Sequence, residues 1–269
     1  MPHTPSVRRA GLAALLALLL VGCSQQAGDD QPSNAAPSRS PSPSTQAAAE
    51  PTPTPTPTQD PALAWTSFVA TAAADAIEVF ASPDAAEADR TITAEEVVSL
   101  PGEIPLTFLV IENQGEWLQV HLPVRPNGST GWLRAADVAL SSTDLKLEVR
   151  LTEHRLLLHK AGEVVMDVPV GVGRDEVPTP GGVYYVKELL QPPDEGSIYG
   201  SFAYGLSGYS PVLESFAGGQ GVIGIHGTNE PASVGTDASH GCIRMYNEDV
   251  TRLVEEFGIP LGTPVEIVA

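Results

Sequence analysis

Apolar and polar residues alternate most regularly in the C-terminal half of the chain. From Leu145 to Leu151 every second residue is apolar, and charged or polar side chains occupy the positions between them. Because successive side chains of a β-strand point to opposite faces, this pattern predicts a strand with one buried face. The segments at 155–158 and 163–166, each a charged residue followed by three apolar ones, are separated by a turn at 160–162 and predict a hairpin. Another strand is predicted at 183–186.

The period changes near the C-terminus. Apolar residues from Val250 to Phe257 repeat at i, i+3, i+4 and i+7, which predicts an amphipathic helix that Asn247 caps at its N-terminus. A last strand is predicted at 264–268. Residues 189–221 are rich in Gly, Pro, Ser and Tyr, and they are expected to form a long loop of the kind that often covers a binding site.

Short apolar segments between turn residues characterise the range 65–143, which is predicted to be a small all-β domain. The segments lie at residues 77–80, 106–111, 117–120 and 131–133. The pattern at 131–138 resembles the last strand and 3₁₀ turn of bacterial SH3-like domains. Trp117 and Trp132 are expected to be packing residues, and docking to the cell wall is the functional alternative for this region.

The first 64 residues are expected to direct export of the protein and to anchor its folded part to the membrane. Arg8 and Arg9 precede an apolar run at 11–21 that is too short to span a bilayer, which predicts a secretory signal over residues 1–22. Residues 20–23 resemble the bacterial lipoprotein box, which implies that Cys23 is lipidated; ordinary cleavage near Gly22 is the alternative. Residues 23–64 are rich in Pro, Thr and Ser and are predicted to be a disordered, semi-rigid linker.

The net charge of the chain argues against two classes of binding partner. The formal net charge is -19, and the chain has only three lysines, Lys146, Lys160 and Lys187. This balance argues against nucleic acid or an anionic lipid surface as the partner, so membrane contact is expected only through the lipid at Cys23. The predicted location is extracytoplasmic, at the outer face of the cytoplasmic membrane within the cell wall space.

The chemistry is expected at Cys242, which has no disulfide partner if Cys23 is acylated. A free thiol has a pKa of about 8.5, so a cysteine nucleophile needs a neighbouring imidazole or backbone dipoles. His240 shares a face with Cys242 if the backbone is extended, and His226 ends a predicted strand. The N–H groups of Gly241 and Cys242 could form an oxyanion hole, and Arg244 could pair with a carboxylate.

A zinc site was the main chemical alternative. His226, Asp237, His240 and Cys242 are admissible ligands, but their spacing lies outside the usual patterns of structural zinc sites. No metal and no cofactor are therefore predicted. The motifs S-x-x-K and G-x-S-x-G, which mark serine acyl enzymes, are missing.

The two halves of this motif, at 225–228 and 239–245, resemble the signature of L,D-transpeptidases of the YkuD type. The resemblance extends through 178–181 and 204–208 and spans roughly 145–268. It implies a catalytic domain over residues 144–269, a β-sandwich or barrel with one or two helices, in a mainly β chain. Tyr209 departs from relatives of this type, which often have histidine in that part of the loop.

The resemblance also implies a mechanism. The Cys242 thiolate attacks the carbonyl that joins the third residue of a donor stem tetrapeptide of peptidoglycan to its terminal D-alanine. D-Alanine leaves, and an acceptor amine of a second stem resolves the thioester to give a 3→3 cross-link. The implied roles are catalytic for Cys242, His226, Gly227 and His240, oxyanion-stabilising for Gly241 and Cys242, and substrate-binding for Arg244, Ser239, Tyr204 and Thr228. Acylation of Cys242 by carbapenems is also implied.

Two alternatives remain open. If water resolves the thioester, the protein is an L,D-carboxypeptidase or a cysteine hydrolase of wall peptides. If the domain has lost activity, it is a wall-binding lipoprotein in which the SH3-like region is the working part.

Overall fold

A computed structural model describes residues 63–194, 196–216 and 219–269. These residues belong to one compact unit, which runs from Thr56 to Ala269. The predicted signal, the predicted lipidation site Cys23 and all but the last two residues of the predicted linker lie outside the described residues. Within the described ranges, no helix is long and apolar enough to cross a membrane.

The small β region, residues 63–143, is built on a five-stranded antiparallel sheet with the order β6-β5-β4-β1-β7. A 3₁₀ turn at Leu63–Trp65 precedes it. Its elements are β1 (Ser67–Ala72), β2 (Ala76–Val79), β3 (Arg90–Thr93), α1 (Ala94–Val97), β4 (Thr107–Asn113), β5 (Trp117–His121), β6 (Thr130–Arg134) and β7 (Val138–Thr143). Strands β2 and β3 form a separate hairpin.

The four apolar segments predicted here all contribute to strands, and their buried side chains form a core around Phe108, Leu118 and Leu133. Trp132 is 9% exposed and exchanges two backbone hydrogen bonds with Phe80. A 3₁₀ turn at Ala135–Asp137 follows β6, as the sequence pattern indicates, and β7 comes after it. The SH3-like assignment stays a prediction.

The large β region, residues 144–269, is built on an eight-stranded sheet with the order β10-β9-β8-β17-β12-β13-β14-β16. The pairs β8–β17 and β14–β16 are parallel and the others antiparallel. Its elements are β8 (Leu145–Arg150), β9 (Arg155–Lys160), β10 (Glu163–Pro169), β11 (Val172–Gly173), β12 (Gly182–Leu190), β13 (Ala203–Tyr209), β14 (Val222–His226), β15 (Asp237–Ser239), β16 (Ile243–Arg244), α2 (Asn247–Glu255) and β17 (Pro264–Val268).

The alternating pattern of β8 is borne out residue by residue, because buried and half-buried side chains alternate along the strand. The predicted hairpin is β9–β10. Its turn places Ala161 and Gly162 at φ angles of 50° and 88°, the positive values that two-residue hairpin turns require. The prediction of a mainly β chain is confirmed.

The long loop predicted at 189–221 was wrong in part, because strand β13 lies inside it and pairs with both β12 and β14. The glycines of this strand favoured the loop prediction, but they are needed because neighbouring side chains lie close to them. A Cβ on Gly205 would lie 2.5 Å from the Glu188 carboxylate, so the strand needs glycine to let that side chain cross it. The helix begins at Asn247, with Tyr246 rather than Asn247 in the capping position.

Candidate active site

Two parallel strands bring the predicted nucleophile and base together. In the β14–β16 pair, Ile225 lies opposite Ile243 and His226 opposite Arg244. The Met245 N–H also donates to the His226 carbonyl over 2.8 Å. Cys242 immediately precedes β16, so the same register places it beside Gly224 of β14, two residues before His226. Cys242 and His226 line the same cavity of about 700 Å³.

His226 is buried, and its Nδ1 lies 2.5 Å from the Gly227 carbonyl oxygen. A carbonyl only accepts, so Nδ1 carries the hydrogen and Nε2 keeps its lone pair. Burial and, to a smaller extent, the nearby Arg244 charge lower the pKa of His226 to about 4, although the Gly227 hydrogen bond acts to raise it. The imidazole is therefore neutral at pH 7 and can accept a proton.

Asn247 fixes the end of the strand that carries His226. Its Oδ1 accepts the Thr228 N–H over 2.9 Å. A Cβ on Gly227 would lie 2.2 Å from that oxygen, and a Cβ on Gly200 would lie 2.0 Å from it, so both backbones pass directly against Asn247. Local sequence reasoning read Asn247 as a helix cap and missed this contact, because its partner lies 19 residues earlier.

Cys242 is partly exposed and is the free cysteine of the described residues. Burial raises the pKa of its thiol, while a backbone hydrogen bond from Gly224 and the Arg244 charge lower it. The resting state is thus a neutral thiol beside a neutral imidazole, not a thiolate beside an imidazolium. Such a thiol requires a general base at the moment of attack.

A tight turn presents Cys242. Gly241 has a φ of 105°, which side chains rarely adopt. The Ser239 hydroxyl donates to the Cys242 carbonyl over 2.6 Å and accepts the Gly241 N–H over 3.1 Å. Gly241, predicted as an oxyanion donor, therefore uses its N–H on Ser239, whereas the Cys242 N–H donates to no protein group among the described residues.

The expectation that His240 and Cys242 share a face rested on extended backbone, which the turn at Gly241 replaces. The His240 ring packs against Phe216, with ring centroids 5.3 Å apart; Phe216 lines the cavity, whereas His240 does not. Burial, Arg174 and Arg244 lower the pKa of His240. The groups that shift the thiol pKa do not include His240, so its predicted support of the thiolate stays a prediction.

The other zinc candidate, Asp237, pairs with His154 over 3.0 Å. Within the described ranges, no group of three or more His, Cys, Asp and Glu side chains is arranged to hold a metal ion.

Several residues predicted to bind substrate hold the chain itself. Arg244 Nη1 donates to Glu230 Oε2 over 2.8 Å, and the Thr228 hydroxyl accepts the Glu230 N–H over 3.0 Å. Glu230 therefore ties the loop after β14 to β16. Tyr204 is fully buried and also lines the cavity, and its buried hydroxyl has no partner among the described residues.

Sequence reasoning also missed Tyr199. Its ring meets the His226 ring edge-on with centroids 5.1 Å apart, and it lines the cavity. Burial and the nearby Cys242 raise the pKa of its phenol, so it stays protonated. Nothing in the local pattern distinguishes this loop tyrosine, because its contact is with a strand that follows more than 20 residues later.

The comparisons with known proteins concern this region. Residues 144–267 match the family model YkuD, the L,D-transpeptidase catalytic domain, which confirms the family resemblance of this range. A protein of Bacillus licheniformis that bears the name L,D-transpeptidase YkuD is 33% identical over 122 residues, or 45% of this chain. The protein of Bacillus subtilis with the same name is 34% identical over 121 residues. The chain spans 64% of the length of each of these two relatives.

Solved structures of L,D-transpeptidases are also similar. One from Xylanimonas cellulosilytica shares 25% identity, with 48% of this chain and 62% of that chain covered and a TM-score of 0.35.

Proposed function

We propose that this protein is an L,D-transpeptidase that acts on the stem peptides of peptidoglycan. One observation carries the proposal. A cysteine thiol and a buried neutral histidine, whose Nδ1–H is held by a backbone carbonyl, are carried by two neighbouring parallel strands and line one cavity. This is a nucleophile, a base and an orienting group, the minimal set for acyl transfer through a covalent intermediate.

In the first half-reaction, His226 Nε2 takes the thiol proton as Cys242 Sγ attacks the carbonyl of the third stem residue. The N–H of Cys242 stabilises the oxyanion of the tetrahedral intermediate. When the C–N bond breaks, the imidazolium gives its proton to the departing nitrogen. D-Alanine leaves, and the third residue remains on Cys242 as a thioester.

In the second half-reaction, the side-chain amine of another stem attacks the thioester. His226 accepts a proton from this amine, the C–S bond breaks, and the proton returns to the sulfur. The products are a 3→3 cross-link and the restored thiol. Water in place of the amine would give a tripeptide, which is the carboxypeptidase outcome.

The neutral pair makes His226 indispensable to the attack. Since burial raises the thiol pKa and lowers that of the imidazole, charge separation forms only as the sulfur bonds to carbon. Arg244 favours the thiolate and disfavours the imidazolium, so its charge acts on both partners in opposite senses. Orientation by the Gly227 carbonyl keeps the lone pair of Nε2 available.

The proposed setting is the extracytoplasmic cell wall space. The predicted signal over residues 1–22, lipidation at Cys23 and the Pro/Thr-rich linker support an anchored enzyme whose substrate lies away from the membrane. The SH3-like assignment of residues 65–143 belongs to the same proposal.

The test uses the purified chain without its first 23 residues and a diaminopimelate-containing disaccharide tetrapeptide, with products read by mass. A cross-linked dimer with release of D-alanine supports the proposal, and tripeptide alone supports the carboxypeptidase. The matched control is Cys242→Ala. If no product depends on Cys242, the enzyme proposal is wrong and the wall-binding alternative is favoured.

A further inference from the structure

The cavity at Cys242 is not formed by the large β region alone. Residues 95–99, which include most of α1 in the small β region, line it together with Lys187, Glu188 and residues 219–224. At about 700 Å³ it is large enough for a peptide of several residues. A segment some 140 residues away in the chain therefore faces the nucleophile.

A buried ion pair fastens this segment. Lys187 and Glu188 are 3% and 2% exposed, and their side chains lie 2.8 Å apart. Lys187 Nζ also donates to the Val97 carbonyl, and Glu188 Oε2 accepts the Ser99 N–H over 2.7 Å. Charge-assisted bonds of this kind are stronger than neutral ones, and breaking one leaves a buried charge uncompensated, so the position of residues 97–99 is well defined.

A second contact holds the connection between β13 and β14. Arg125 donates through Nη1 to the Ser210 carbonyl over 2.8 Å, and through Nη2 to the carbonyls of Leu213 and Gln220, each over 3.0 Å. One guanidinium thus joins both ends of this connection. Gln220, which lines the cavity, also donates through Nε2 to the Glu96 carbonyl over 3.1 Å.

Tyr209 takes part in the same contact. Its hydroxyl donates to the Pro123 carbonyl over 2.7 Å, and the Arg125 guanidinium lies 4.7 Å from its ring centroid. The side chain at this position therefore bonds to the small β region instead of facing the reacting atoms.

We propose that the small β region forms one wall of the stem-peptide cleft, and that Arg125 is a positioning residue that holds the opposite rim of the cleft in place. The inference rests on the proposed function and adds a role for residues 63–143 beyond docking to the cell wall. The wall is made by residues 95–99, and the rim by Gln220 and its neighbours, which Arg125 and Glu96 hold in place.

The first test replaces Arg125 by Met and by Lys. The matched control is Arg134→Met, since Arg134 also lies over aromatic rings of the small β region, Phe80 and Trp117, but does not touch the cavity. Arg125→Met is expected to raise KM for the tetrapeptide about tenfold with little change in kcat. Arg125→Lys is expected to restore only part of the loss, because an ammonium lacks the forked geometry that reaches three carbonyls.

The second test places a large side chain on the wall. Glu95→Trp is compared with Glu103→Trp, whose parent residue is also exposed but does not line the cavity. Alkylation of Cys242 is followed by mass with iodoacetamide and with a bulky peptide-linked iodoacetamide. Glu95→Trp is expected to slow the bulky reagent about tenfold relative to iodoacetamide, whereas Glu103→Trp leaves the ratio unchanged.

Alkylation needs no turnover, so these tests separate the two proposals. A wild-type protein that releases no D-alanine would contradict the proposed function, and the alkylation ratio would still decide whether the wall exists. Equal ratios in the Glu95 and Glu103 variants, or equal KM values in Arg125→Met and Arg134→Met of an active enzyme, would overturn the wall proposal.

Discussion

The two halves of the eight-stranded sheet differ in the regularity of their strands and in the polar side chains that they bury. The regular half consists of β10, β9, β8 and β17, and its strands contain no glycine. The site half consists of β12, β13, β14 and β16. Its β12–β13 and β13–β14 pairs both shift register, whereas only β9–β10 does so among the pairs of the regular half, and Gly205, Gly208 and Gly224 lie within the strands of the site half.

Buried polar side chains are also distributed unevenly between the two halves. The site half buries Lys187, Glu188, Ser207 and His226, whereas His159 is the buried polar side chain in the strands of the regular half. Burying such groups is unfavourable unless each finds a partner, so they are tolerated where they perform chemistry or position it. We infer that one half of the sheet mainly contributes stability, whereas the other carries the polar groups of the candidate active site.

The largest expected effect is on chemistry alone. Cys242→Ala should lower the rate of D-alanine release by about 10⁴-fold or more, since no other group can form the thioester. The thermal midpoint should stay close to that of the wild type, because Cys242 is partly exposed and outside the hydrophobic core. Turnover assays and calorimetry on the same preparation check both parts, and a residual rate near that of the wild type would contradict this division.

The next effect is on stability alone. Leu158 of β9 is fully buried in the core of the regular half, so Leu158→Ala should cost about 3 kcal/mol of unfolding free energy. The kcat of the folded fraction should not change. Val164→Ala in the partner strand β10 is the control, because Val164 is 51% exposed and should cost less than about 0.5 kcal/mol. A lower kcat in Leu158→Ala would show that the halves are coupled.

Acid should destabilise the site half through His226. Its pKa is about 4 in the fold and 6.5 in the reference state, so the unfolded chain binds more protons between these values. The contribution to stability is complete above pH 6.5 and is lost as pH falls toward 4, with a loss of about 2 kcal/mol between pH 7 and 4.5. Urea unfolding of wild type and His226→Gln at both pH values measures it, and identical pH dependence in the variant would contradict the assignment.

The smallest effect concerns Asn247. Asn247→Ala leaves the Thr228 N–H without its acceptor and should cost about 1 kcal/mol, together with a roughly fivefold fall in kcat as the His226 strand end loosens. Asn113→Ala removes a similar side-chain acceptor, for the Gly115 N–H, from an exposed turn of the small β region. That control should change neither quantity measurably, and a matching fall in kcat there would indicate a nonspecific effect.

The regular half is the part that the sequence predicts well. Alternation fixes β8, and the turn at Ala161 and Gly162 identifies the β9–β10 hairpin, because both signals are local. The motif residues Cys242 and His226 were also predicted, since each chemical type stands beside a short predicted element. Their approach in the structure follows from the pairing of β14 with β16.

The rest depends on contacts that no local window contains. Strand β13 was read as loop because its glycines signal turns, although Gly205 is required by the Glu188 side chain of a neighbouring strand. Asn247 was interpreted as a helix cap because its hydrogen-bond partner, Thr228, lies 19 residues earlier in the chain. The expectation for His240 assumed extended backbone, and the positive φ of Gly241 removes that assumption. In each case tertiary structure overrides local propensity, and each case lies in the site half or in a segment directly next to it in the chain.

The most direct test of the acyl-transfer assignment is intact mass spectrometry of the protein mixed with donor tetrapeptide alone and quenched in acid within seconds. The expected result is a mass gain equal to the donor minus D-alanine, located on the peptide that contains Cys242. The adduct should be missing in Cys242→Ala and should form far more slowly in His226→Gln. Release of D-alanine at the wild-type rate from Cys242→Ala would contradict the central claim.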